Sequence, residues 1–174
     1  MHVLLISGST RRASSNSMVL QRLHELDHPD VITDYYDRLR DVPAFVPDEQ
    51  SVPAVVTDVL TRMRTADAVL FSTPEYAGGL PGTLKNLLDW TVGAGALYRK
   101  PVAWLDVANP GRGHGARAQL ETVLTYVAAR IITAACVHVT LHRTDTGTTL
   151  ADDSAQVLAG ALSALAGNLQ EDPQ

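Results

Sequence analysis

Three stretches of this 174-residue chain carry the groups able to do chemistry. The first is Ser9-Thr10-Arg11-Arg12-Ala13-Ser14-Ser15-Asn16-Ser17, crowded with hydroxyls, an amide and two guanidinium groups. Ahead of a helix such a stretch suits a phosphate. The first backbone N–H groups of a helix lack intrahelical partners, and the helix dipole adds partial positive charge there. Ser9, Ser15, Asn16 and Ser17 add side-chain donors, and Arg11 offers a charge-assisted pair. The same residues also read as ordinary helix caps. Neither a Walker Gly-Lys-Ser/Thr nor a G-x-G-x-x-G dinucleotide fingerprint is present in the stretch. Arg12 is expected to face solvent.

The second stretch, Pro74 to Gly79, holds one charge, Glu75. Gly78 and Gly79 let the main chain approach a planar ligand closely, and Tyr76 offers a ring to pack against it. Glu75 reads either as a ligand-side group or as a solvated carboxylate or partner to a cation. The third is Asn109-Pro110-Gly111-Arg112-Gly113-His114-Gly115. Its Arg112 suits a ring edge or a nucleotide phosphate, or simply solvent. His138 and His142 stand four apart in a strand-like segment, so they share no helical face, and no metal site is expected there.

The elements that position these stretches follow from periodicity. Val3–Ile6, Val31–Tyr36, Ala68–Ser72 and Val102–Val107 are short apolar or alternating runs, read as strands. A fifth strand lies within Ile131–Leu141, broken or bent near Ala134 and Ala135. Helical stripes alternate with them: Val19, Leu23 and Leu26 in a helix from about Ser17 to Leu26; Val52, Val55, Val56, Val59, Leu60 and Met63; Leu84, Leu87, Leu88 and Val92; Leu120, Val123, Leu124 and Val127; Leu158, Ala161, Leu162, Leu165 and Leu169. Pro81 suits the first turn of the third helix, Gly93 and Gly95 its end. Leu39–Pro53 reads as a long loop. Such alternation predicts an α/β doubly wound, three-layer sandwich with a five-stranded parallel sheet in order 2-1-3-4-5. Ligands bind in such folds at the carboxyl ends of the strands, where the strand order reverses, so the three stretches converge on one crevice.

Composition narrows the classes. Hydrophobic residues make up 45% and charged residues 19%, an ordinary globular mix, and the net charge is −5. An acidic chain argues against non-specific nucleic-acid binding. No apolar run reaches membrane-spanning length. Cys136 is alone, so no internal disulfide forms, and its apolar neighbours point to packing. One domain over 1–174 is expected, loose only near residues 170–174, in the cytoplasm.

On Gly8-Ser9-Thr10-Arg11 with Ser15-Asn16, Pro74-Glu75-Tyr76, Pro81-Gly82-Thr83-Leu84-Lys85-Asn86, Asp89-Trp90 and Gly115-Ala116-Arg117-Ala118-Gln119, the chain resembles the NADPH-dependent FMN reductase family. That family includes azo-dye, quinone and chromate reductases. The set PEY…PG-x-LKN-x-x-DW is the specific part of a likeness that runs over nearly the whole chain. It implies a flavodoxin-like fold and a homodimer or homotetramer around FMN, with the third helix as a contact surface. The FMN phosphate would sit on Ser9, Arg11, Ser15, Asn16 and Ser17. Pro74, Glu75, Tyr76, Ala77 and Gly78 would border the isoalloxazine, with Gly111 and Arg112 on the other wall. Many relatives carry Asn after the Tyr; here Ala77 removes that side-chain amide and leaves backbone contacts. N–H groups near Pro81 are expected to favour negative charge on the reduced ring. The implied reaction moves hydride from NADPH or NADH to bound FMN, then to a small-molecule quinone, azo, flavin or metal-oxyanion acceptor. The cofactor carries that chemistry, so no catalytic residue is nominated, and no nucleic-acid or membrane partner. Two other readings fit the same residues: a flavodoxin-type electron carrier without NAD(P)H oxidation, and a non-catalytic flavin-binding sensor module.

Overall fold

Period-two alternation in the central strands sorts their side chains onto two faces, and each face has its own helices. In the computed structural model, which describes residues 1–48, 51–144 and 147–170, the elements run β1 (His2–Ser7), α1 (Ser15–His24), β2 (Ile32–Tyr36), α2 (Ala54–Thr65), β3 (Ala68–Ser72), α3 (Gly82–Ala94) and β4 (Pro101–Asp106). They continue as α4 (His114–Tyr126), β5 (Arg130–Ile131), β6 (Val137–His138), β7 (Leu141–Thr144), β8 (Gly147–Leu150) and α5 (Ser154–Gln170). Leu4, Ile6, Val69, Phe71 and Val102 face α2, α3 and α4, where they meet Val59, Met63, Leu87 and Leu120. Val3, Leu5, Leu70, Ala103 and Leu105 face α1 and α5, where they meet Leu20, Leu23, Leu158 and Leu162. Burial on both faces is why the strands read as continuous apolar runs.

The main sheet has the order β2-β1-β3-β4-β5, and all its pairings are parallel. This is the flavodoxin-like arrangement expected from the alternation. The fifth strand is interrupted where the two alanines stand: β5 stops, Thr133–Ala135 form a 3-10 turn, and β6 resumes pairing with the end of β4. The sequence reading stopped at Leu141 and missed the antiparallel hairpin β7–β8. Residues 142–149 are mostly polar, and Leu141 and Leu150 at its base pack on the α1/α5 side, so little hydrophobic alternation marks it. Residues 171–174 of the expected tail lie outside the described residues, while Gln170 ends α5.

Helix ends follow their chemistry. Ser14 caps α1, its hydroxyl accepting from the Ser17 N–H, so the helix opens two residues before the expected Ser17 and takes Asn16 into its first turn. Pro81 is the cap residue just outside α3 rather than its first-turn residue. Gly95 closes α3 in the left-handed region at φ 59°, where glycine carries no Cβ penalty. Among the described residues no helix is long and apolar enough to cross a membrane. Cys136 is half-buried against the α1/α5 core, and burial pushes its thiol up to about 11.

Candidate functional site

The carboxyl ends of β1, β3 and β4 open on one cleft of about 470 Å³. Its lining draws on all three stretches. Ser9, Arg11, Ser14, Ser15 and Asn16 come from the first, Thr73, Pro74, Glu75 and Tyr76 from the second, and Val107, Ala108, Asn109, Arg112 and Gly113 from the third. Of the residues singled out in the sequence, Ser17, Ala77, Gly78 and Gly111 are not on this wall. Ser14, Thr73 and Asn109 are on it and were not singled out. Thr73 and Asn109 follow strand ends and Ser14 stands just before α1, and those positions were the available signal.

The first loop is held by its own side chains. The Ser7 hydroxyl accepts from the Ser9 N–H at 3.3 Å, and the Ser9 hydroxyl accepts from the Arg11 N–H at 3.3 Å. Such local side-chain bonds to the backbone shape turns before a helix. Ser17 turns away from the cleft, its hydroxyl 2.9 Å from Ser7 Oγ. Asn16 is buried, and its Oδ1 lies 2.9 Å from the Ser72 hydroxyl, which also reaches the Leu105 carbonyl at 2.9 Å. With its oxygen engaged by β3, the amide N–H₂ of Asn16 is the donor left for the cleft. Arg11 donates from Nε and Nη2 to the Ala13 carbonyl at 3.1 and 2.7 Å. That contact folds the guanidinium back over the loop it belongs to. The donor set, all hydroxyl, amide and guanidinium around the start of α1, matches what a phosphate monoester requires.

The second loop is held from outside. Tyr76 and Gly79 exchange both backbone bonds at 3.0 Å, and between them Ala77 and Gly78 have φ of 50° and 78°. Two successive positive φ values define a type I′ turn, the tightest hairpin connection. Asn tolerates this left-handed region better than the Ala77 present here. Glu75 is exposed, with no cation paired to it among the described residues, and its carboxylate is engaged by a helix. Its Oε2 accepts from the Gly115 N–H at 2.7 Å and the Ala116 N–H at 3.2 Å. Those are orphan donors of α4, whose own cap residue Gly113 has no side chain to satisfy them. Glu75 therefore caps a helix remote in sequence, with its charge at the positive end of the dipole. Gln119 on the next turn of α4 accepts from the Leu80 N–H at 2.8 Å. A Cβ on Gly115 would stand 2.0 Å from the Gly78 carbonyl oxygen, so only glycine allows α4 to dock this closely.

The third wall hangs on Asp106 at the end of β4. One carboxylate oxygen accepts from the Ala108 N–H at 2.9 Å, and the other pairs with Arg117 of α4. Arg117 also donates to His114 Nδ1 at 2.8 Å, and His138 Nδ1 lies 3.4 Å from Asp106. The Arg112 guanidinium has no hydrogen bond or ion pair among the described residues and stands exposed at the rim.

The helix-three part of the motif serves a structural purpose. Asn86 Oδ1 accepts from the Phe45 N–H at 2.7 Å, and its Nδ2 donates to the Pro43 carbonyl at 2.8 Å. Trp90 donates from Nε1 to the same carbonyl at 3.0 Å and meets the Phe45 ring edge-on at 5.0 Å. Lys85 pairs with Asp89 one turn on. These residues pin the long loop after β2, and the first turn of α3 is not part of the cleft lining.

Known proteins share this arrangement. The family model described as NADPH-dependent FMN reductase matches residues 1–145. The chain is similar to the NADH:(hydroxy)cinnamate reductase subunit CrdA of Vibrio ruber, 34% identical over 127 residues that cover 71% of this chain and 62% of that subunit. It is similar to the quinone reductase of Escherichia coli K12, 31% identical over 139 residues, or 76% of this chain and 73% of that one. Among solved structures it is similar to the flavoenzyme NAD(P)H:(acceptor) oxidoreductase FerB from Paracoccus denitrificans, at TM-score 0.74 and 25% identity over 98% of this chain and 97% of that one. On the family match, the sheet order and the cleft, the chain belongs to the NADPH-dependent FMN reductase family of oxidoreductases, which implies FMN as its cofactor and NAD(P)H as its electron donor.

Proposed function

We propose that the chain binds FMN in the cleft described above and catalyses electron transfer from NAD(P)H to a small-molecule acceptor of the quinone type. The observation that carries this reading is the junction, in one cleft, of a phosphate-suited donor cluster on the first loop with the loops that follow β3 and β4. FMN when bound accepts hydride from the nicotinamide and returns electrons to the acceptor. The chain's residues orient it. Ser9, Arg11, Ser15 and Asn16 hold the phosphate end. Pro74, Glu75 and Tyr76 border one side of the ring region, with Arg112 opposite; the Ala77-Gly78 turn and Gly111 adjoin these residues in the chain but lie outside the lining. Glu75 contributes indirectly, by fixing the turn to α4. The quinone type follows the similarity to a quinone reductase, and an open, partly polar cleft admits planar acceptors.

The chain would work as one domain in the cytoplasm and self-associate through the outer side of α3. Val92 there, with Tyr98 and Tyr126 nearby, stands well exposed. Light scattering of the purified protein is expected to give a homodimer or homotetramer. The function itself is tested by absorption spectroscopy. The purified protein is expected to take up FMN, lose flavin absorbance with NADPH under anaerobic conditions, and regain it on adding a quinone. Failure to take up FMN would overturn the proposal. Reduction without repeated turnover would leave the electron-carrier reading in its place.

A further inference from the structure

A second cavity, of about 520 Å³, lies behind the first loop. It shares Ser9 and Arg11 with the cleft, so the two adjoin at this loop. Arg12, Arg38 and Arg40 join Arg11 on its wall, against two carboxylates, Asp37 and Asp41. Four arginines around one cavity contrast with a chain whose net charge is −5. The Ser17 hydroxyl, turned away from the cleft, belongs to this wall.

The arginines are not consumed by one another's partners. Arg38 donates from Nε to Asp41 at 3.2 Å, which spends one carboxylate and leaves both terminal amino groups of the guanidinium without a bond among the described residues. Arg40 donates from Nη2 to the Thr10 carbonyl at 2.9 Å, fixing it to the first loop with its other N–H groups available. Arg12 has no hydrogen bond or ion pair among the described residues. A planar guanidinium offers parallel N–H donors that match phosphate oxygens. The volume lies within the ordinary range of small-molecule sites. A phosphate monoester with a sugar attached fits both the charge and the size. NADPH carries such a group, the adenosine 2′-phosphate, and NADH lacks it.

We propose that this arginine-walled cavity binds the adenosine 2′-phosphate of the donor nucleotide and sets a preference for NADPH over NADH. The proposal rests on the reading of the cleft as an FMN site used by a nicotinamide donor. Two anionic ligands would then share the first loop, with Arg11 between them.

The test uses FMN-loaded protein titrated calorimetrically with 2′,5′-ADP and with 5′-AMP, together with steady-state kinetics on both donors. Expected are binding of 2′,5′-ADP about tenfold tighter than 5′-AMP, the size of one charge-assisted contact, and competition of 2′,5′-ADP with NADPH. Arg12→Ala and Arg38→Ala should each lower the ratio of kcat/KM for NADPH to that for NADH by about fivefold to tenfold, with FMN content unchanged by absorbance. Arg12 is exposed and has no hydrogen bond or ion pair among the described residues, so Arg12→Ala is expected to leave folding intact. Arg38→Lys, which keeps charge but loses the fork, should fall between. Equal affinity for the two nucleotides, or an unchanged ratio in both alanine variants with FMN content intact, would overturn the proposal. Failure of the underlying reading looks different: the unaltered protein would bind no FMN or oxidise neither nucleotide.

Discussion

The two loops that flank the cleft are built by opposite means. The loop of residues 9–17 presents side chains and is shaped largely by nearby hydroxyls, Ser7, Ser9 and Ser14, with two distant ties, Ser72 to Asn16 and Arg40 to the Thr10 carbonyl. The loop of residues 74–80 presents a backbone turn, and its anchors, Gly115, Ala116 and Gln119, lie some forty positions away on α4. A site made of side chains can be organised locally. A site made of backbone shape has to be braced by something else, because a short turn with two residues at positive φ does not hold itself against competing conformations. Glu75 is the brace, and its carboxylate satisfies a helix end at the same time.

This contrast can be broken first at Gly115. Gly115→Ala places a methyl group against the Gly78 carbonyl, and backbone cannot yield as a flexible side chain would. A loss of about 3 kcal/mol in urea denaturation is expected, with FMN uptake lost as well. An unaltered titration would show that α4 does not set the turn. Glu75→Ala comes next. It removes the acceptor for two helix N–H groups and should cost about 1–2 kcal/mol in thermal unfolding. Glu75→Gln keeps an acceptor and loses only the charge at the dipole, so it should cost less than half as much.

Arg11→Ala addresses the other loop and should separate affinity from stability. Among the described residues its guanidinium hydrogen-bonds only the Ala13 carbonyl of its own loop. FMN affinity in a fluorescence titration should fall about tenfold, while the unfolding midpoint of the FMN-free protein stays within about 0.5 kcal/mol of the original. A large fall in that midpoint would mean the first loop, too, depends on distant packing. The smallest effect is expected at Ala77, a non-glycine residue at φ 50°. Ala77→Asn should stabilise the protein by about 0.5 kcal/mol in thermal unfolding, since Asn tolerates this region at lower cost. Destabilisation instead would show that the methyl group packs usefully and that the turn is less strained than its φ suggests.

Much of this was legible in the sequence, and what was not has a common cause. Apolar runs closed by Ser7-Gly8 and by Ser72 marked strands whose ends had to carry the polar loops, and the alternation with helical stripes set the parallel sheet. The break near Ala134 showed because two small residues interrupt an apolar run. The hairpin β7–β8 did not show, since most of it is polar and only its base packs on the core. That Glu75 also caps α4 did not show, because nothing near it in the chain hints at an α4 terminus without a cap of its own. Asn86 and Trp90 stood in the most specific part of the resemblance, and their shared partner, the Pro43 carbonyl, is not announced by any spacing. Four arginines from two separate loops met in one cavity that no spacing in the sequence announces.

What the sequence determined by itself is the set of elements, their order and the chemistry available at each strand end. These follow from hydrophobic period, turn residues and helix caps, all interactions within a few positions along the chain. Only the tertiary structure decided which groups face the cleft, which serve as braces, and that the Ala77-Gly78 turn is clamped to α4. Those outcomes depend on close approaches between segments some forty residues apart, as between Gly115 and the Gly78 carbonyl, and such distances are set by packing of the whole sheet and its helices.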